Sequence, residues 1–115
     1  MKTGIIVVND NLLEVLIAQS EVEQQRGLMY IPAPTPNMVF PYDFPNVNKF
    51  WMKATPSELD IIFCYKGKIS QIHRGEPFST QAIGNNEFSD LIIELPYGTA
   101  KELNLQIGNK ISLLK

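Results

Sequence analysis

The sequence predicts an α+β fold dominated by antiparallel β structure, with two short helices and a sheet curled into a small barrel or sandwich. Three observations carry this. Short β-branched and aromatic runs recur along the whole chain: TGIIVV, LLEVLIA, MVF, FWMK, LDIIFCY, KISQIHR, LIIEL and KISLL. Turn residues separate them, including Asn9-Asp10-Asn11, Lys66-Gly67-Lys68 and Asn85-Asn86. Only two segments carry helix-start chemistry, and neither leaves room for a long helix.

In chain order, Thr3 to Val8 and Leu12 to Ala18 flank the Asn9–Asn11 turn and read as a β-hairpin. SEVEQQRG follows. Ser20 and Glu23 have the spacing of a capping box, and Gly27 suits the C-terminal position of a helix of about two turns. The segment YIPAPTPN, with its three prolines, forces an extended loop. MVF, FWMK and LDIIFCY then read as strands, the last two as neighbours. KISQIHR reads as a half-buried strand with imperfect alternation, Gly75 to Asn86 as a polar connector, and LIIEL as a buried strand. PYGTAKEL repeats the capping-box spacing at Thr99 and Glu102, and IGNKISLL closes with a turn and a strand. The total is six to eight strands and two helices in a single domain over residues 1–115.

Composition narrows the function classes. Ten basic and twelve acidic residues give a net charge of −2 with no run of either sign, so the dense basic face that nucleic acid needs is not expected. No apolar run reaches the ~20 residues of a membrane span, and MKTGIIVVNDN does not read as a signal peptide. Cys64 is the only cysteine, which forbids an internal disulfide. With His73 as the only histidine, no paired metal motif arises, and no cofactor is expected. A cytoplasmic location fits this cysteine use. Oligomeric state is not encoded in any of these features.

The words EVEQQRGLMY, NMVFP, FWMKAT with LDIIF, ELPYGTAKEL and IGNKI occur in an order that resembles the domain of unknown function 192 family, small bacterial and archaeal proteins without an established activity. The resemblance runs from Leu13 to Ile111 and rests on Arg26, Gly27, Leu28 and Met29, on Met38 and Phe40, on Phe50 to Lys53 and Thr55, on Leu59 and Asp60, and on Glu94, Gly98, Thr99 and Gly108. The chain departs from the family pattern at Asn37 and Asn104 for glycine, Ala54 for asparagine, Glu58 for proline and Asn109 for aspartate. If the asparagine after FWMK bonds a ligand in other members, Ala54 cannot do so here. Many members look secreted or envelope-anchored, a location this N-terminus does not imply.

Two constellations are candidate sites. Read as a strand, FWMK sends Phe50 and Met52 to one face and Trp51 and Lys53 to the other. Core packing accounts for the first pair. An indole beside an ammonium accounts for the second, as a cation–π contact or the wall of a polar cleft. Arg26, Lys53, Asp60 and Glu94 each lie in an apolar context, where a charge needs a partner. One reading pairs Arg26 with Asp60 or Glu94 in structural salt bridges. The other makes a pocket in which Arg26 or Lys53 binds an anionic or hydroxyl-rich ligand and Asp60 or Glu94 orients it. His73 and Cys64 match no nucleophile motif, and Cys64 is expected to be buried and inert.

The leading expectation is therefore a small binding or protein-interaction module with a cleft near Trp51 and Lys53, its partner a small ligand or a protein that meets the cleft or the loop from Ile31 to Asn37. The alternatives are a small hydrolase or isomerase using Asp60 or Glu94 with Arg26 or Lys53, and an accessory or host-directed interaction protein of a mobile element or virus.

Overall fold

The computed structural model describes residues 1–115. Seven strands and two helices follow one another as β1 (Lys2–Val8), β2 (Asn11–Ile17), α1 (Glu21–Arg26), β3 (Met38–Val47), β4 (Leu59–Tyr65), β5 (Lys68–Gly75), β6 (Phe88–Pro96), α2 (Thr99–Glu102) and β7 (Ile111–Leu114). They form one sheet in the order β5-β4-β6-β3-β2-β1-β7. All neighbours are antiparallel except β2 and β3, which pair in parallel through Leu16–Met38 and Ile17–Val39. The sheet curls into a half-barrel. Its two edges meet at one end, where Ile69 N–H donates to Asn109 O at 2.9 Å, Gly108 N–H to Ile69 O at 2.7 Å and Ile111 N–H to Gly67 O at 2.9 Å.

Local chemistry sets the turns. Asn9 and Asp10 both take positive φ, 48° and 62°, the backbone of a two-residue hairpin turn that asparagine and aspartate tolerate. Ser20 and Glu23 form the expected capping box, with Glu23 N–H donating to Ser20 Oγ at 3.1 Å and Ser20 N–H to Glu23 Oε1 at 3.0 Å. The second expected capping box does not form. Thr99 is the first helical residue rather than the cap, and the carboxylate of Asp60 accepts the free N–H groups of this helix start instead.

The four-residue FWMK segment is not a strand. Phe50 makes a single bridge to Ile83, Met52 N–H donates to Ser79 O at 2.9 Å, and the chain reverses at Lys53-Ala54. Its backbone groups are satisfied by the connector 79–83 rather than by a sheet ladder, so strand pairing gains nothing there. The alternation of sides survives, because Met52 is fully buried and Phe50 packs beside it while Trp51 and Lys53 face solvent. Ala54 sits at φ 54°, a left-handed backbone that disfavours a Cβ. Asparagine at this place, as the family pattern has it, is explained by that backbone without any ligand.

The sheet separates two apolar layers. Inside the curl, Ile6, Ile17, Val39, Ile62, Ile93 and Leu95 form the larger cluster with Cys64, Ala100 and Leu105. On the outer face of β3, β4 and β6, Met38, Phe40, Ile61, Phe63 and Ile92 form a second cluster, roofed by Ala18, Leu28 and Met52. Strand β4, paired on both sides between β5 and β6, is buried on both faces, which is why LDIIFCY reads as a continuous apolar run instead of an alternating one. Cys64 lies in the inner layer, where burial pushes its thiol up to about 12, far from reactive thiolate.

Candidate functional site

The outer layer is incompletely roofed. Between α1 and the segment 49–55 a cleft of about 300 Å³ opens to solvent, lined by Arg26, Gly27, Leu28 and Met29 from the end of α1, Phe40 and Tyr42 from β3, Lys49, Phe50 and Trp51, and Glu94 from β6. Cross-strand register explains how these residues meet. Glu94 stands opposite Met38 on β3 and Ile61 on β4, on the outer face with Phe40 and Ile92. The β3–β6 ladder breaks between Pro41 and Asn46, and Tyr42 projects from that break.

Glu94 forms the floor of the cleft. It is 4% exposed, and its Oε1 is fully buried with no hydrogen-bond partner. Burial pushes its carboxyl up to about 8, which favours the uncharged acid at neutral pH. Tyr42 feels the same burial, with Glu94 adding to it, and its hydroxyl rises to about 12. Gly27 lies directly above: a Cβ built there would sit 3.7 Å from Glu94 Oε1 and 3.6 Å from the Phe40 ring. Its φ of 50° with ψ of −128° is a backbone open to glycine almost alone. The RGLM word thus puts a bare backbone over the acid and Arg26 at the rim.

Arg26 is exposed and makes no salt bridge, since the chain's one ion pair joins Arg74 to Glu58. The expected structural pairing of Arg26 with Asp60 or Glu94 is absent, and for Asp60 the reason is topological. Asp60 pairs in register with Leu95, one residue along from Glu94, and so faces the inside of the curl. There its Oδ2 accepts from Gly98 N–H at 3.1 Å and Ala100 N–H at 2.9 Å, and burial raises its carboxyl against the lowering effect of those bonds. Asp60 anchors α2 and does not reach the cleft.

Trp51 is a cleft wall, 47% exposed, and Lys53 stands outside the cleft with its Nζ 5.1 Å from the indole centroid. Three of the five residues singled out from sequence, Arg26, Trp51 and Glu94, therefore line one cleft, while Lys53 touches its wall from outside and Asp60 lies across the sheet. Tyr42, Lys49 and Gly27 complete the site and were not singled out. The signal for Tyr42 was the alternation Met38, Phe40, Tyr42 along β3, which continues the face of Glu94. His73 lies elsewhere, its Nε2 2.8 Å from Gln71 Oε1 and its ring edge-on to Phe63, with burial lowering its affinity for a proton.

Comparison with solved structures shows the same fold in two bacterial proteins. A protein of unknown function from Novosphingobium aromaticivorans DSM 12444 is similar with a TM-score of 0.83 and 22% identity, over 96% of this chain and 83% of its own. A protein from Sinorhizobium meliloti 1021 that carries the provisional name of transcription regulator is similar with a TM-score of 0.88 and 27% identity, over 97% of this chain and 94% of its own. No curated protein matches. The family model described as DUF192, Uncharacterized ACR, matches residues 5–113, and the chain belongs to that family.

Proposed function

We propose that the protein is a small-ligand binding module whose site is the cleft between α1 and the Lys49–Thr55 segment. One observation carries this reading: an unpartnered buried acid, Glu94, and an unpaired cation, Arg26, line the same solvent-open cleft with aromatic walls. Leaving a buried polar group unsatisfied costs roughly 1–3 kcal/mol. A ligand that supplies the missing partner recovers that cost on binding, and Phe50 and Trp51 give it apolar surface to cover. A thermal-shift screen of small polar compounds tests the reading. Compounds that raise the melting temperature of the wild type and fail with Arg26→Ala and Trp51→Ala support it. A screen in which every hit acts equally on both variants counts against it.

A second reading is favoured by the same carboxyl. A group pushed up to about 8 is matched to proton transfer near neutral pH, as a general acid or base of an isomerase or hydrolase requires. Turnover of a bound compound, lost in Glu94→Gln while binding persists, would select it. The provisional name of the Sinorhizobium relative gains no support from this chain's charge, which is −2 with acidic residues in excess.

A further inference from the structure

We propose that the ligand of this cleft is a small monocarboxylate with an apolar or aromatic body, held by a hydrogen bond from the Glu94 carboxylic acid and by the charge of Arg26; this rests on the binding reading above. The two unfilled groups differ in what they ask for. Glu94 Oε1 is buried without a partner, and an acid at that place is a donor in search of an acceptor. Arg26 has no carboxylate partner and asks for negative charge. A carboxylate is the group that answers both, accepting from the acid through one oxygen and from the guanidinium through the other. The space fits a small molecule, since about 300 Å³ is at the lower end of ligand pockets. Phe40, Phe50 and Trp51 then cover its body.

Other ligand classes fit less well. A cationic ligand would enter beside Arg26 and Lys49 and find Lys53 already over the Trp51 ring. A polyol would bring no negative charge to the unpaired Arg26 and would set hydroxyls against the apolar rings of Phe40, Phe50 and Trp51. A phosphate dianion would demand more than one unpaired cation. The Lys49 ammonium, which also lines the cleft, is held back toward the Gly84 carbonyl by one of its three N–H groups and keeps its charge.

The proton on Glu94 makes binding pH-dependent. The charged and titratable groups facing it are Glu21 and Arg26 from α1, Tyr42 from β3 and Lys49 from the opposite wall, while β4 presents only apolar Ile61 and Phe63. Tyr42, raised to about 12, stays protonated through neutral and mildly basic pH. Once Glu94 ionises, ligand and floor carry like charges, and affinity falls about tenfold for each further pH unit.

Isothermal titration calorimetry on the full chain tests this with four probes: 3-phenylpropionate, its amide, phenethylamine and glycerol. A Gly-Gly-Phe peptide with free or amidated terminus separates a small acid from a chain end as the source of the carboxylate. The expected result is binding of phenylpropionate at least tenfold tighter than of its amide, with a loss of roughly 30-fold between pH 6.5 and pH 9.5. Glu94→Gln, a neutral donor of the same shape, keeps the affinity at pH 6.5 within about threefold and flattens that loss, while Arg26→Gln weakens binding at both pH values. The same pH profile in Glu94→Gln as in wild type overturns the assignment to Glu94. Tighter binding of the amine, amide or glycerol overturns the carboxylate alone and leaves the cleft as a binding site. Absence of binding by every probe at millimolar concentration overturns both.

Discussion

Two carboxyl groups are buried at neighbouring register positions of the same sheet, and their fates are opposite. Asp60 on β4 faces the inner layer, where two backbone N–H groups at the start of α2 hold its oxygen. Glu94 on β6 faces the outer layer, where its Oε1 has no partner beneath the glycine that ends α1. Desolvation raises both, and only Asp60 has bonds that pull the other way. The difference separates an anchor from the floor of the proposed site. A buried acid with its bonds made stabilises the element that makes them, whereas a buried acid without them lowers stability, which is the feature on which the proposed binding role rests.

The largest effect expected from this contrast is at Glu94. With its folded-state value raised to about 8 from 4.5, the folded chain holds a proton that the unfolded chain releases, so stability is greatest at low pH and declines as pH rises through that window. Glu94→Gln removes the penalty. Chemical denaturation should find the variant more stable by on the order of 3 kcal/mol at pH 7 and no different near pH 4. Asp60→Ala should go the other way, losing roughly 2 kcal/mol by leaving the α2 start without its acceptor, with Asp60→Asn losing less. Loss of stability in both Glu94→Gln and Asp60→Ala at pH 7 would erase the contrast.

Smaller effects probe the backbone around the cleft. Gly27→Ala should cost about 1–2 kcal/mol, all from forcing a side chain onto a φ of 50°, since the new methyl meets Phe40 and Glu94 only at ordinary contact distance. A cost that vanishes in urea titrations would show that this turn relaxes freely. Ala54→Gly, at the left-handed position after FWMK, should gain about 0.5–1 kcal/mol, and Ala54→Asn should gain part of it.

Much of the fold was readable because local and global signals agree in it. The Asn9-Asp10 turn, the Ser20–Glu23 box and the apolar runs of β4 and β6 each specify their own structure and match the element formed. FWMK misled because its alternation is real while its hydrogen bonds go to the connector 79–83, a pairing set by tertiary contact and invisible in the segment itself. The site was readable in part. A single glutamate inside LIIEL and an arginine before Gly27 are conspicuous in apolar surroundings, but LDIIF offers Asp60 on the same terms. What separates Asp60 from Glu94 is a one-residue offset in the β4–β6 register, which flips one carboxyl to each face. No pattern along the chain contains that offset.

The central claim is that Glu94 stands protonated at the floor of the cleft at neutral pH, and carbon NMR of its side-chain carboxyl, assigned with Glu94→Gln and followed from pH 3 to pH 10, tests it most directly. A midpoint near the value of about 8 that burial imposes is the predicted result. A midpoint at the ordinary 4.5 of an exposed glutamate would contradict the account.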